Sequence, residues 1–521
     1  MRPLRGRRVR RVPVLVAIPL VLVGLAVVER VDDDEGDVAP APSDQSAAPG
    51  AVSAVGDRAL MPVATPAGTL TSTWFCAGGT ASTDGMAEHT VVVANAAPEP
   101  VEAVITVYPG ALDTDPNAAA VAEQPLVSER FDVEGTSRVE VPLTTIVELP
   151  FAAALVEVTG GDVVVEHAVR GPTGFDVAPC AAGASNTWYF AAGSTRRDAR
   201  ELLVLFNPFP DDAVVDLTFA TPEGFRAPQP YDQLVVPGSG VVVLDISGVV
   251  ARHDQVSTSI VARTGRLVAD RIQMFDGSLS PPGLALTLGA PQPSGLWFFP
   301  DGPAGEGVTE TYVVYNPSAE PAEVDLEVQL DDPATNGEVE PLALSVPPQG
   351  YSAVVLSDED RIPDGVAHAV TVRALNGVDV VAERVLDSTE PRAREGLAYT
   401  MGAPLAATSW VLAAGSATDT VAELLSIQNP SSDTIARVDV VALAGARTPV
   451  DGLTSLEVAP AGRLTVDLGD HIRRGTLTVL VTATTPVVVE RGLYLVGERG
   501  GAQTLGVPLA GSVTRLAPVP G

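Results

Sequence analysis

Few residues in this chain can do acid–base or nucleophilic chemistry. The five histidines, His89, His167, His253, His368 and His471, are scattered, with no His-x-His and no His-Glu-x-x-His pair. A zinc-hydrolase motif is therefore absent from the sequence. Cys76 and Cys180 are the only cysteines; two thiols alone make a poor zinc set, and no coherent histidine accompanies either as a nucleophile. The serine in PGSG, from Pro237, reads as a turn rather than a Gly-x-Ser-x-Gly elbow between strand and helix. The chain holds no lysine, so phosphate-binding P-loops, Ser-x-x-Lys hydrolases, pyridoxal Schiff bases and Lys–Asn isopeptide staples are all excluded.

One polar pair does recur: Glu166-His167, Asp270-Arg271, Glu383-Arg384 and Glu490-Arg491. A carboxylate beside a base suggests a catalytic dyad, but neighbouring residues on a strand point to opposite faces and cannot act together directly. Repeated in every copy of a module, the pair reads as structural. The expectation is a partly buried carboxylate accepting hydrogen bonds from a neighbouring strand or turn, with the base outside. No catalytic residue, cofactor or metal is assigned, and the chain is read as a non-enzyme.

The elements that position these pairs are themselves repeated. Four tryptophans, Trp74, Trp188, Trp297 and Trp410, follow one another at 114, 109 and 113 residues, in WFCAGG, WYFAAG, WFFPDG and WVLAAG. Nineteen residues after the last three come Asn207, Asn316 and Asn429, each followed by proline; in the first copy Asn95 stands alone and the proline has slipped to Pro98. Several independent features with one period define a tandem repeat. Proline cannot donate a ladder hydrogen bond and asparagine tolerates turn dihedrals, so Asn-Pro ends the strand before it.

Within each unit the apolar runs read as seven or eight strands. Asp216, Asp325 and Asp439 alternate with apolar neighbours, as on a sheet with one wet face. LVVPGSGVVVLDI and VSTSIVARTGRLVADRIQMF, with their counterparts, read as hairpins, and Asn376-Gly377 is the strongest such turn. No helix of useful length is predicted. The expected fold is all-β: four tandem immunoglobulin-like or fibronectin-like antiparallel sandwiches at 73–186, 187–295, 296–408 and 409–514, with a tail at 515–521. A propeller blade is about 40–50 residues, too short for this unit. End to end, the four would extend over roughly 100 Å.

The tryptophans read as buried anchors, with a sugar-stacking platform as the alternative. Cys76 aligns with Phe190, Phe299 and Leu412, and Cys180 is placed against Gln292, Leu405 and Leu509. Both belong to the first unit, on its first and last strands, and a disulfide is expected if those strands are neighbours.

Residues 12–28 carry no charge and follow a tail, 1–11, that holds six arginines. This reads as a single membrane span with its N-terminus in the cytoplasm and the bulk of the chain outside, the alternative being a cleaved signal. Residues 29–72, acidic and rich in Pro, Ala and Ser, read as a disordered stalk. The formal net charge of −33 excludes nucleic acid as a partner.

Together, the Trp-x-x-x-x-Gly start, the Asn-Pro strand end and the late Glu-Arg strand resemble the domain-of-unknown-function family 5719, over about residues 74–514. That resemblance implies an anchored or secreted extracytoplasmic protein of high-GC Gram-positive bacteria, and carries over no catalytic residues. The first unit departs most, at Asn95 and His167. The function expected is a membrane-anchored scaffold or spacer that contacts other cell-envelope proteins. The alternatives are a module binding wall polymers or adhering to a surface, and, third, an enzyme.

Overall fold

The computed structural model describes residues 60–516 apart from 116–117, 304, 332–338, 364 and 390–393. The expected tail at 1–11, span at 12–28, most of the stalk and residues 517–521 lie outside the described residues. No helix among the described residues is long and apolar enough to cross a membrane.

Unit one shows how the sequence makes the fold. Its strands are β1 (Thr71–Cys76), β2 (Glu88–Asn95), β3 (Val101–Leu112), β4 (Val127–Val133), β5 (Ser137–Pro142), β6 (Phe151–Thr159), β7 (Val163–Gly171) and β8 (Gly174–Pro179). Along β3, Val101, Ala103, Ile105 and Val107 are buried while Glu102, Val104 and Thr106 are half-exposed, the period-two signature of a sheet with one core face. The strands form two antiparallel sheets, β1-β6-β3-β4 and β5-β2-β7-β8. Among the described residues the same pairings recur in units two, three and four, except that β3 also pairs in parallel with Gly240–Asp245 of unit two and joins one sheet of each unit into one. In unit four the sixth and seventh strands fuse into one, Arg474–Leu495, that serves both sheets.

Both predicted hairpins are corrected. Leu234–Val236 pairs with the third strand of unit two, whereas Gly240–Asp245 pairs with the second, in the other sheet. The strands flanking Asn376-Gly377, His368–Ala374 and Val381–Ser388, likewise belong to different sheets. The turn residues mark a chain reversal correctly, but the core lies between the strands, so the reversal crosses from sheet to sheet instead of closing a ladder.

The units do not run end to end. Strand β8 packs against the eighth strand of unit two (Gly283–Leu288), that against Gly396–Met401 of unit three, that against Gly501–Leu505 of unit four, which returns to β8. The four units close into a ring around these strands. Close approach there requires glycine: a Cβ on Gly283 would sit 2.5 Å from Leu397 Cδ2, and one on Gly396 2.6 Å from the Gly501 nitrogen. The eighth strands line a small, mainly apolar cavity of about 60 Å³, as do Leu60, Met61 and Pro62. Residues 60–65 are buried, and Ala64 bridges to Leu509 of unit four. The expected stalk therefore ends before residue 60, and β1 begins inside it. LMPVAT carries enough apolar surface to join the core.

Candidate functional site

The repeated polar pairs meet one another at the four junctions of the ring. Strand alternation turns each acid toward the preceding unit and each base toward the following one. Arg271 of unit two forms a two-pronged pair with Glu383 of unit three. Arg384 of unit three pairs with Glu490 of unit four. Arg491 of unit four reaches Glu166 of unit one at 2.8 Å and closes the circle. At the remaining junction His167 Nε2 lies 3.6 Å from Asp270 Oδ2. All eight side chains are buried. The carboxylates are thus inward as expected, but the bases are not outside. Each base is covered because the next unit sits on the face that a string of beads would leave wet.

The tryptophan motif supplies the other half of each junction. Its fifth residue donates a backbone N–H to the incoming carboxylate: Ala192 to Glu383 at 2.9 Å, Asp301 to Glu490 at 3.2 Å and Ala414 to Glu166 at 2.8 Å. In unit one both Ala77 and Gly78 donate to Asp270 Oδ2, at 3.0 and 2.8 Å. The carbonyls of Ala192 and Asp301 accept from Arg271 and Arg384.

Six residues before the asparagine of each unit stands a buried polar side chain, His89, Glu201, Glu310 or Glu423; the motif's sixth residue, glycine, lies against the first, second and fourth of these, and in unit three Gly302 lies against His368, the partner of Glu310. A Cβ on Gly193 would meet Glu201 Oε2 at 2.5 Å, and one on Gly415 would meet Glu423 Oε1 at 2.5 Å. Sequence reasoning passed over this belt. Its signal was a polar residue opening each otherwise apolar second strand, in HTVVVAN, ELLVLFN, ETYVVYN and ELLSIQN. Glu310 accepts from Tyr312 Oη at 2.8 Å and lies 2.7 Å from His368 Nε2. Neither oxygen of Glu201 or of Glu423 makes a well-aligned hydrogen bond, the Ser194 and Ser416 N–H groups being their nearest backbone donors. Burial pushes the Glu201 carboxyl up to about 8 and that of Glu423 up to about 7, opposed by the charges of Arg271 and Arg491 respectively.

The other markers have structural roles. Trp74, Trp188, Trp297 and Trp410 are buried, and the indoles of the last three donate to Leu267, Val380 and Val487 carbonyls at 2.8, 2.8 and 2.9 Å. Rings so covered are not sugar platforms. Asn207, Asn316 and Asn429 each clamp a turn: Asn316 Nδ2 donates to Glu320 and Val346 carbonyls, while its Oδ1 accepts from Ser318 N–H at 3.0 Å. Asn95 makes the same clamp without the proline.

Cys76 and Cys180 form the expected disulfide. Strand register corrects the alignment of Cys180. Phe75 bridges Ala181 as Tyr189 bridges Ala290 and Phe298 bridges Ala403, so Cys180 occupies the place of Gly289 and Gly402, with Gly506 in unit four. There the ring of Phe190 or Phe299 lies over the glycine; unit one replaces that contact with a covalent bond. Beside it, His89 Nδ1 lies 3.0 Å from the Ala152 carbonyl and His89 Nε2 lies 3.0 Å from His167 Nδ1. Burial lowers His89 to about 4 and holds His167 well below its ordinary value, His89 adding to the effect.

The profile of a family of unknown function, DUF5719, matches residues 167–296 and 290–512, more than half of the chain. No curated protein matches. Among solved structures, one titled the crystal structure of Thermotoga maritima 1070 is 21% identical, spans 22% of this chain and 95% of its own, and superposes with a TM-score of 0.18.

Proposed function

Because the chain belongs to the DUF5719 family, whose function is unknown, we propose a role from the geometry: a non-catalytic, membrane-anchored extracytoplasmic scaffold that contacts other proteins of the bacterial cell envelope. One observation carries this reading. The repeated acid–base pairs, the side chains best suited to chemistry, are spent on joining the units, so they hold a rigid body together and face no substrate. The units are read as immunoglobulin-like sandwiches divided near residues 187, 296 and 409. The scaffold is a closed platform and not an extended spacer, and its partners would meet the outer sheets and loops. In-cell crosslinking of the anchored protein followed by mass spectrometry tests this. A dominant protein partner is expected; crosslinks chiefly to wall glycan would overturn it.

Binding of a wall polymer is the second reading. It is favoured by a cleft of about 280 Å³ lined by Arg196, Asp254, Gln255, Phe275, Asp387 and Tyr399, a mixture of aromatic and polar groups suited to sugars.

A further inference from the structure

The ring is fourfold in pattern except at one junction, where several departures are toward metal-ligating residue types. Cys76 stands where the other units have Phe190, Phe299 and Leu412, and Cys180 where they have Gly289, Gly402 and Gly506. His167 replaces Arg271, Arg384 and Arg491, and His89 replaces Glu201, Glu310 and Glu423. The acid facing them is the shorter Asp270 instead of glutamate. Three of these substitutions converge in space: the two sulfurs and a ring nitrogen of His167 lie within 4.8 Å of one another, all buried.

The hydrogen bonds decide which atom of His167 is free. The Ala152 carbonyl can only accept, so His89 Nδ1 carries a proton. With both rings neutral, His89 Nε2 is bare and accepts from His167 Nδ1, which leaves the His167 Nε2 lone pair exposed inside the junction. That nitrogen has no hydrogen-bond partner, and neither has Asp270 Oδ1, whereas Asp270 Oδ2 is held by two backbone N–H groups. Three junctions set a guanidinium against the carboxylate. The fourth sets a bare nitrogen and a carboxylate face to face with no donor between them. The guanidinium of the other junctions has no counterpart here, and an orienting second histidine is already in place.

We propose that this junction is a metal site in the dithiol form of the chain, with Cys76, Cys180 and His167 Nε2 as ligands to a divalent ion of the zinc class and Asp270 beside them, the disulfide being the metal-free form of the same residues. Two sulfurs and one nitrogen suit a tetrahedral site whose fourth position is taken by water or by the neighbouring Asp270. Binding converts two thiols and one M²⁺ into a bis-thiolate complex and two protons. Oxidation by an external disulfide releases M²⁺ and joins the two sulfurs, its two electrons and two protons from water making the external dithiol. A dithiol reductant reverses the step. Because the junction is sealed between units one and two, the choice between metal and disulfide is made as the ring closes.

The test refolds the full chain with a phosphine reductant, with and without Co²⁺. The expected result is one cobalt per chain with thiolate-to-metal charge-transfer absorption, and none in the disulfide form. His167→Arg restores the residue of the other units and keeps both thiols; it should abolish the absorption. His89→Phe removes the orienting bond and should weaken cobalt binding about 10–100-fold. A reduced, folded chain with two titratable thiols and no such absorption overturns the proposal, as does unchanged binding in His167→Arg. So does a reduced chain that fails to regain its near-ultraviolet circular dichroism even with metal present.

Discussion

Replacing Arg491 by methionine tests whether the first and last units touch. The pair it forms with Glu166 spans 325 residues of sequence, and both side chains are buried. At 2.8 Å and an effective dielectric constant of about 20 the gross attraction is about 6 kcal/mol, most of it offset by desolvation of the two charges. The variant is costly for a different reason: it leaves the Glu166 carboxylate buried with the Ala414 N–H on Oε2 and nothing on Oε1. Orphaning one member of a buried pair costs about 3–5 kcal/mol. The ring should stay shut, because Arg138 still donates to the Ala413, Gly415 and Leu477 carbonyls and Arg447 to that of Ala96. The loss is then a local one, readable by urea denaturation of the full chain. Adding Glu166→Gln should recover much of it, giving a coupling of about 2–3 kcal/mol in the double-mutant cycle. A loss below about 1 kcal/mol, the size found for exposed pairs, would mean that the two residues are solvated and the units form an open string.

The disulfide closes 104 residues of sequence. Cys76→Ala with Cys180→Ala should cost about 4–5 kcal/mol by the chain-entropy model, while Cys76→Phe with Cys180→Gly, which restores the ring-on-glycine contact of units two and three, should cost measurably less by thermal unfolding. Glu201, with an ordinary value of 4.5, is pushed up to about 8 by burial, so the native state binds more protons than the unfolded chain between those limits. Its contribution is therefore fully present below pH about 4.5 and is lost as pH rises through about 8, by up to about 4–5 kcal/mol. Urea midpoints across that window should fall with pH, and Glu201→Gln should flatten the fall. Gly283→Ala would drive a Cβ into Leu397, at 2.5 Å from Cδ2 and 2.8 Å from Cβ; a loss of about 1–3 kcal/mol is expected by the same assay.

Much of the unit was legible because it is local. The Trp and Asn-Pro periods, the alternation around Asp216, Asp325 and Asp439, and the position of the disulfide all follow from side-chain type and spacing. The hairpins were misread because turn residues report that the chain reverses, not which sheet receives the returning strand. The belt of His89, Glu201, Glu310 and Glu423 was missed because one polar residue at the start of an apolar strand resembles an exposed strand end. Only the fold, which lays the glycine of the Trp motif over it, as Gly193 over Glu201, reveals that it is covered.

By itself the sequence determined that the chain is all-β, fourfold in repeat and stapled once. Those properties depend on period, propensity and the absence of lysine, and need no knowledge of neighbours. Only the tertiary structure decided that the array closes and that Arg491 meets Glu166. Closure depends on the rotation between successive units summed over all four. No stretch of residues encodes that sum locally, and the partner of each buried base lies in the next unit, beyond the reach of any spacing rule.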